Sequence, residues 1–162
     1  RREADAARFM ALNNTVVLSV RCWGRNNVGQ LGVGDTASWY PTAGVGVTAV
    51  REVLNLGTST GATVTRLATG RRHSCAILDH AEPAQRGVKC WGSGHYGQLG
   101  YDSTDSKGDA PGEMAGLGTV SLGASAIAIT ATYHHTCATL VDGGIKCWGS
   151  GSTVSGRKRP AS

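Results

Sequence analysis

Residues 22–32 read CWGRNNVGQLG, residues 90–100 read CWGSGHYGQLG, and a third copy opens with CWGSG at 147–151. A second phrase recurs in phase with the first, as ATGRRHSCAIL at 68–78 and TATYHHTCATL at 130–140. A looser third phrase, LNLGTSTGATVTRL at 54–67 against VSLGASAIAI at 120–129, keeps Gly57 and Gly123 in register. Three phrases recurring in one order define a repeat architecture. Each copy is then one small unit that cannot bury its apolar surface alone, and the core is made where copies stack.

The repeating unit is built of strands. Apolar runs are short (TVVLSV, TVTRLA, SCAIL, AIAIT, TCATL) and rich in β-branched residues, with clusters of Gly, Ser, Asp, Asn and Pro between them. Glycine supplies 24 of 162 residues, about twice its usual share, which fits many turns and few helices. Strands are expected near 17–22, 63–68, 73–78, 87–91, 126–131, 135–140 and 144–148, an all-β chain. Residues 1–8 have room for a helical turn but no convincing cap. No apolar run reaches the ~18 residues of a membrane span.

The net charge is +5, but its placement argues against nucleic acid. Residues 1–8 carry +1 and Arg157, Lys158 and Arg159 carry +3, which leaves +1 for residues 9–156. A body that near to neutral lacks the clustered basic footprint of a phosphate-backbone binder.

Within the first phrase, Trp23 and Trp91 are candidate core residues whose indole N–H groups need partners. Gly24 and Gly92 stand where the chain leaves a strand and turns. Gly29, Gly32, Gly97 and Gly100 suit positive φ or close backbone approach. Leu31 and Leu99 are expected core anchors, and the Gln30 and Gln98 side chains are expected to bond backbone between neighbouring repeats. A phosphate-cradling loop is the competing reading of these glycines, but such a loop needs Lys after its second glycine, and Gln30 and Gln98 stand there.

The stretch HHTCATLVDGGIKCWG reads as a hairpin whose three-residue loop, Val141–Asp142–Gly143, ends in a left-handed glycine. With Leu140 opposite Gly144, Cys137 falls directly opposite Cys147. Cys75 and Cys90 hold the same two places in the previous copy, across a longer loop. Two readings stand: cross-strand disulfides Cys75–Cys90 and Cys137–Cys147, or small buried hydrophobes, with the redox compartment deciding. Oxidised pairs would imply an extracellular or luminal setting, reduced ones a cytoplasmic or nuclear setting. Cys22 is left over, its partner position falling near Met10.

His135, Cys137 and Cys147 are the nearest approach to a metal set, but a fourth ligand is not evident. His73 and His135 are read instead as buried histidines bonding backbone within their own unit. No nucleophile, general base or paired carboxylates stand at persuasive spacing, so neither enzymatic chemistry nor a cofactor is expected. Asn13–Asn14–Thr15 matches a glycosylation sequon, usable only in a secreted eukaryotic chain.

Together these phrases resemble the repeats of the regulator of chromosome condensation family. The resemblance rests on Trp23–Gly24, Trp91–Gly92 and Trp148–Gly149, on Gly29–Gln30–Leu31–Gly32 and Gly97–Gln98–Leu99–Gly100, and on Gly70, His73 and Ser74 with His135 and Thr136. Full repeats span 20–78 and 88–140, with partial ones at 9–19 and 144–151. Thr132 departs from the family's glycine, Gly94 departs from the asparagine kept at Asn26, and Gly-Gln-Leu-Gly never follows Gly149. The resemblance implies a partial, seven-bladed-type β-propeller: an arc over 9–151, an extension at 1–8 and a basic disordered tail at 152–162. It further implies a non-enzymatic protein-interaction module, a piece of a larger propeller. The alternatives are guanine-nucleotide exchange on a small GTPase of the Ran type, or inhibition of an enzyme as in the β-lactamase-inhibitor propellers of the same superfamily. The acidic stretch 101–113 reads as a solvated, mobile insertion.

Overall fold

In the computed structural model, residues 8–9, 20–40, 56, 62–79 and 86–151 are described. Most of the extension before Arg8, the Asn13 sequon, positions 17–19 of the first expected strand and the tail at 152–162 lie outside them.

The strands are β1 (Arg8–Phe9), β2 (Cys22–Trp23), β3 (Thr63–Thr69), β4 (His73–Asp79), β5 (Gly87–Gly92), β6 (Ala126–Ala131), β7 (His135–Leu140) and β8 (Ile145–Gly149). They form a two-stranded pair β1–β2 and two three-stranded antiparallel sheets, β3-β4-β5 and β6-β7-β8. The two larger sheets, blade A and blade B below, stack side by side as a partial β-propeller. The repeated phrase is out of phase with the blade: Cys-Trp-Gly closes one sheet, and Gly-Gln-Leu-Gly then leads across to the next.

Register follows the hairpin geometry. Cys137 stands opposite Cys147 and Cys75 opposite Cys90. In the β7–β8 loop, Leu140 N–H donates to Gly144 O at 2.8 Å and Gly143 N–H donates to Leu140 O at 3.0 Å. Gly143 takes φ of +85°, a left-handed conformation that costs glycine little. Both cysteine pairs are disulfides, each with its Cα atoms 4.1 Å apart. Cys22 is buried and free, and burial raises its thiol pKa well above the ordinary value. Its partner across β1–β2 is Phe9, one residue before the expected Met10.

The core lies at the junctions between sheets. Val20, Cys22, Leu31, Leu56, Val64, Ala76, Leu78, Trp91, Met114 and Leu117 fill the junction before blade A. Cys75, Ile77, Val88, Cys90, Leu99, Val120, Leu122, Ile129, Ala138 and Leu140 fill the one between the blades. Successive β4 side chains therefore point alternately into two different cores.

The stretch 101–113 corrects the sequence expectation of a mobile insertion. Lys107 bridges Gly92 at the open edge of β5, and Val120 N–H donates to Val88 O at 2.7 Å farther along the same edge. The Glu113 carboxylate accepts the N–H groups of Gly108, Asp109 and Ala110 at 2.9–3.2 Å. Burial opposes its ionisation, but these bonds and one from the Asp109 side chain outweigh it and lower its pKa. A short apolar run just beyond, with Met114 and Leu117 in the core, anchors the segment. Its polar composition concealed a role in covering a strand edge.

Candidate interaction surface

The repeated polar residues are used up in holding blade to blade. The backbone carbonyl of Gln30 accepts the Trp91 indole N–H at 3.1 Å and the Ser74 hydroxyl at 2.9 Å. One repeat on, the Gln98 carbonyl accepts the Trp148 indole N–H at 2.8 Å and the Thr136 hydroxyl at 2.8 Å. The side-chain amides do something else. Gln30 Oε1 accepts Val28 N–H at 3.0 Å and Gln98 Oε1 accepts Tyr96 N–H at 2.8 Å, each within its own loop. The expectation that these side chains bridge repeats is corrected: they shape the loop, and the main chain makes the bridge.

His73 completes the seam. Its Nε2 lies 2.9 Å from Thr136 Oγ1, in the next blade rather than on backbone in its own. The single hydroxyl proton of Thr136 is committed to Gln98 O, so His73 Nε2 carries the proton and donates. Its Nδ1 is buried without a partner. Burial, with the charge of His134 second, lowers the His73 pKa to about 4, so the ring is neutral at pH 7. His135 was expected to be buried in the same way and is exposed. Its Nε2 meets Ser150 O at 2.7 Å, because no blade among the described residues supplies the next hydroxyl.

The remaining motif positions serve the same seams. Trp23 is half-buried, and Gly24 exchanges two backbone bonds with Trp39. Gly29 and Gly32, like Gly97 and Gly100, close two successive tight turns. Gly92 has φ of +103° and Gly149 +124°, and a Cβ on either would strike the preceding turn's carbonyl, Arg72 O or His134 O. At Gly94 the Asp105 carbonyl occupies the Cβ position, so the asparagine kept at Asn26 has no room in the second copy. The sulfurs of Cys137 and Cys147 are bonded to each other, and His135 points to Ser150, so the three do not form a ligand set.

Residues that do not repeat gather elsewhere. The β3–β4 turn brings Arg71 and Arg72, the β6–β7 turn Tyr133 and His134, and the loop after β5 His95 and Tyr96. All three segments meet at one end of the blade junction, where Arg71 N–H donates to Thr132 O at 3.2 Å and Ser93 N–H to Arg72 O at 2.8 Å. The Arg71 guanidinium carbon stacks 4.2 Å above the Tyr133 ring. The His134 ring lies between two tyrosines, with centroids 4.2 Å from Tyr96 and 4.6 Å from Tyr133. Tyr96 is 51% exposed and Tyr133 53%. Burial, then the charges of Arg71, His135 and Arg72, lowers the His134 pKa, and no carboxylate is among the groups acting on it. Sequence reading missed this cluster because its members lie far apart in the chain. The one signal available was that Arg71–Arg72 and Tyr133–His134 occupy the same two non-repeating places in the second phrase.

Among the described residues there is no helix long and apolar enough to cross a membrane and no group of three or more His, Cys, Asp or Glu side chains placed to hold a metal ion.

Two family models, both described as the regulator of chromosome condensation (RCC1) repeat, match residues 64–98 and 88–139. No curated protein matches the chain. Among solved structures, yeast RCC1 (Prp20) bound to Kap60 matches at 23% identity with a TM-score of 0.57, over 85% of this chain and 29% of that one. Prp20p from Saccharomyces cerevisiae matches at 24% identity and TM-score 0.56, over 86% and 30%. Human WBSCR16 matches at 19% identity and TM-score 0.54, over 82% and 31%. The chain thus spans about a third of the length of the propellers it resembles. Its blades and seams agree with these two repeat models, which identify residues 64–139 as repeats of the regulator of chromosome condensation family.

Proposed function

We propose that this chain is a non-enzymatic protein-interaction segment of a larger propeller, with its repeat arc over 9–151, and that it holds its partner at the loop end bearing Arg71, Tyr96, Tyr133 and His134. One observation carries this reading. The repeated Ser74, Thr136 and His73 side chains are spent on the seams and those of Gln30 and Gln98 on their own loops, whereas the non-repeating ones collect in a partly exposed aromatic and basic cluster. Tyrosine and arginine are the residue types that dominate protein–protein hot spots. Fold alone does not choose the partner.

The test is site-specific photo-crosslinking of the full chain. A photoreactive side chain at Tyr133 is expected to capture a discrete protein, and one at Val141, exposed at the other end of β7, is expected not to. Equal capture at both positions, or none at either, contradicts the reading.

A second reading, guanine-nucleotide exchange on a small GTPase, draws on the likeness to Prp20p, whose binding to Gsp1p and histones was studied with its structure. Exchange would show as faster nucleotide release from a panel of small GTPases. The interaction reading expects no acceleration.

A further inference from the structure

We infer that the outer edge of β8 and the groove beside it form a second interaction surface. It takes an extended segment of a different polypeptide that carries two apolar side chains three residues apart. This surface is made of backbone edge and apolar floor, and it does not depend on the loop cluster proposed above.

Blade A shows what such a site holds. Its last strand reads VKCWG over 88–92, and β8 repeats it as IKCWG over 145–149. Beyond β5 the chain returns over that strand's open edge. Gly92 exchanges two backbone bonds with Lys107, Cys90 N–H donates to the Tyr101 hydroxyl at 2.9 Å, and Val88 O accepts Val120 N–H at 2.7 Å. From the same returning segment Met114 and Leu117 enter the core that holds Trp91, Leu56 and Val33. The matching groups of Gly149, Cys147 and Ile145 meet no such segment among the described residues. Beside them lies a groove of about 430 Å³ lined by Trp148, Leu122 and Gly100, the repeat counterparts of Trp91, Leu56 and Gly32. Two glycines report the difference independently. Gly29 and Gly97 hold the same place in the repeated phrase, with φ of +76° and +70°. A Cβ on Gly29 would strike Asp109 N in the returning segment, whereas a Cβ on Gly97 would meet nothing within 4 Å.

The chemistry of the occupant follows from that comparison. An open strand edge binds extended backbone, and the pockets beside it choose the side chains. Asp102 and Lys146 also line the groove and are opposite in charge, so selection rests on apolar fit. The occupant is therefore specified by a pair spaced like Met114 and Leu117. Residues 152–162 read STVSGRKRPAS and carry no such pair, so the occupant is assigned to a second polypeptide.

The experiment titrates the full chain with a fluorescent synthetic peptide that copies residues 105–120, DSKGDAPGEMAGLGTV. It is expected to bind, and a scrambled peptide is not. Replacing the methionine and leucine of the peptide by alanine is expected to weaken binding at least about tenfold. Hydrogen exchange with the peptide bound should show new protection at 145–149 and none at 88–92, where the edge is already covered. Gly97→Asn in the chain is expected to keep the melting midpoint, since Asn tolerates a left-handed φ, and to weaken the peptide about tenfold by filling the open place. Absence of binding, equal binding of the alanine peptide or by Gly97→Asn, or protection elsewhere than 145–149 overturns the assignment. Protection of 145–149 in the chain alone overturns it too: at every concentration it would mean an occupant from the same chain, and rising with concentration it would mean a second copy.

Discussion

Blades A and B are built from the same phrases and fold into the same three strands, yet only one of them is buried. In blade A every residue of β4 from His73 to Leu78 is buried. In blade B the same strand, β7, alternates between buried and less buried positions, and its first residue is exposed. Trp91 is fully buried and Trp148 only half. The Cys75–Cys90 pair is sealed, while Cys147 is exposed. His73 bonds the next blade, and His135 turns to Ser150 instead. The difference teaches that the repeat motif does not bury itself. Each copy supplies half of a seam, and its neighbour supplies the other half.

Gly70 and Thr132 show this at one position. A Cβ at Gly70 would run into the Thr132 carbonyl of blade B and into the His73 ring. Glycine is needed there because another blade closes against it. At Thr132 the His135 ring has swung toward Ser150, and no further blade closes among the described residues, so a side chain fits.

The comparison can be broken in several ways. The largest expected effect is at the tryptophans. Trp91→Ala should cost about 3–5 kcal/mol in urea unfolding, and Trp148→Ala about half as much. Equal costs would mean that the blade's own hairpin, not the seam, stabilises the indole.

The next effect is pH-dependent. His73 is neutral in the fold, with its pKa lowered to about 4, while the unfolded chain keeps a value near 6.5. Its contribution is therefore complete above about pH 6.5 and is lost as pH falls toward 4, up to about 3 kcal/mol. His73→Gln should flatten that part of the stability–pH curve, and an unchanged slope would contradict the seam assignment.

Gly70→Ala should then destabilise by about 1–3 kcal/mol through overpacking against backbone. Thr132→Gly should cost no more than about 1 kcal/mol, the loss of backbone restriction. Differential scanning calorimetry of both variants checks the pair.

The smallest effect on the fold is a difference in rate. A dithiol reductant without denaturant should open Cys137–Cys147 well before Cys75–Cys90, since attack requires access to sulfur. Alkylation and peptide mapping would show the order, and simultaneous opening would contradict the difference in burial.

What could be read from the chain was local. A three-residue loop with glycine at its end sets the register of the β7–β8 hairpin, and the alternation of TCATL and SCAIL marks strands. The strand positions expected from those runs coincide with the described strands from β3 to β8 to within about a residue. What could not be read depended on the neighbouring blade. The fates of His73 and His135 differ although their phrases are alike, because one has Thr136 beside it. The Gln30 and Gln98 carbonyls make the bridging bonds, and every residue has a carbonyl, so no letter of the sequence marks them. Residues 101–113 look solvated by composition, and only the open edge of β5 gives them something to pair with. The Arg71–Tyr133 stack needs two turns from different blades, a juxtaposition that periodicity suggests but cannot place.

Hydrogen exchange of the native chain tests the dependence of each blade on its neighbour most directly. Peptides covering β4 and β7 have nearly the same length, the same cross-strand cysteine register and a disulfide each, and they differ chiefly in whether a blade closes on both faces. Amides of 74–78 are expected to exchange at least about tenfold more slowly than those of 136–140. Equal protection, or slower exchange in β7, would show that each hairpin stabilises itself and would contradict the account.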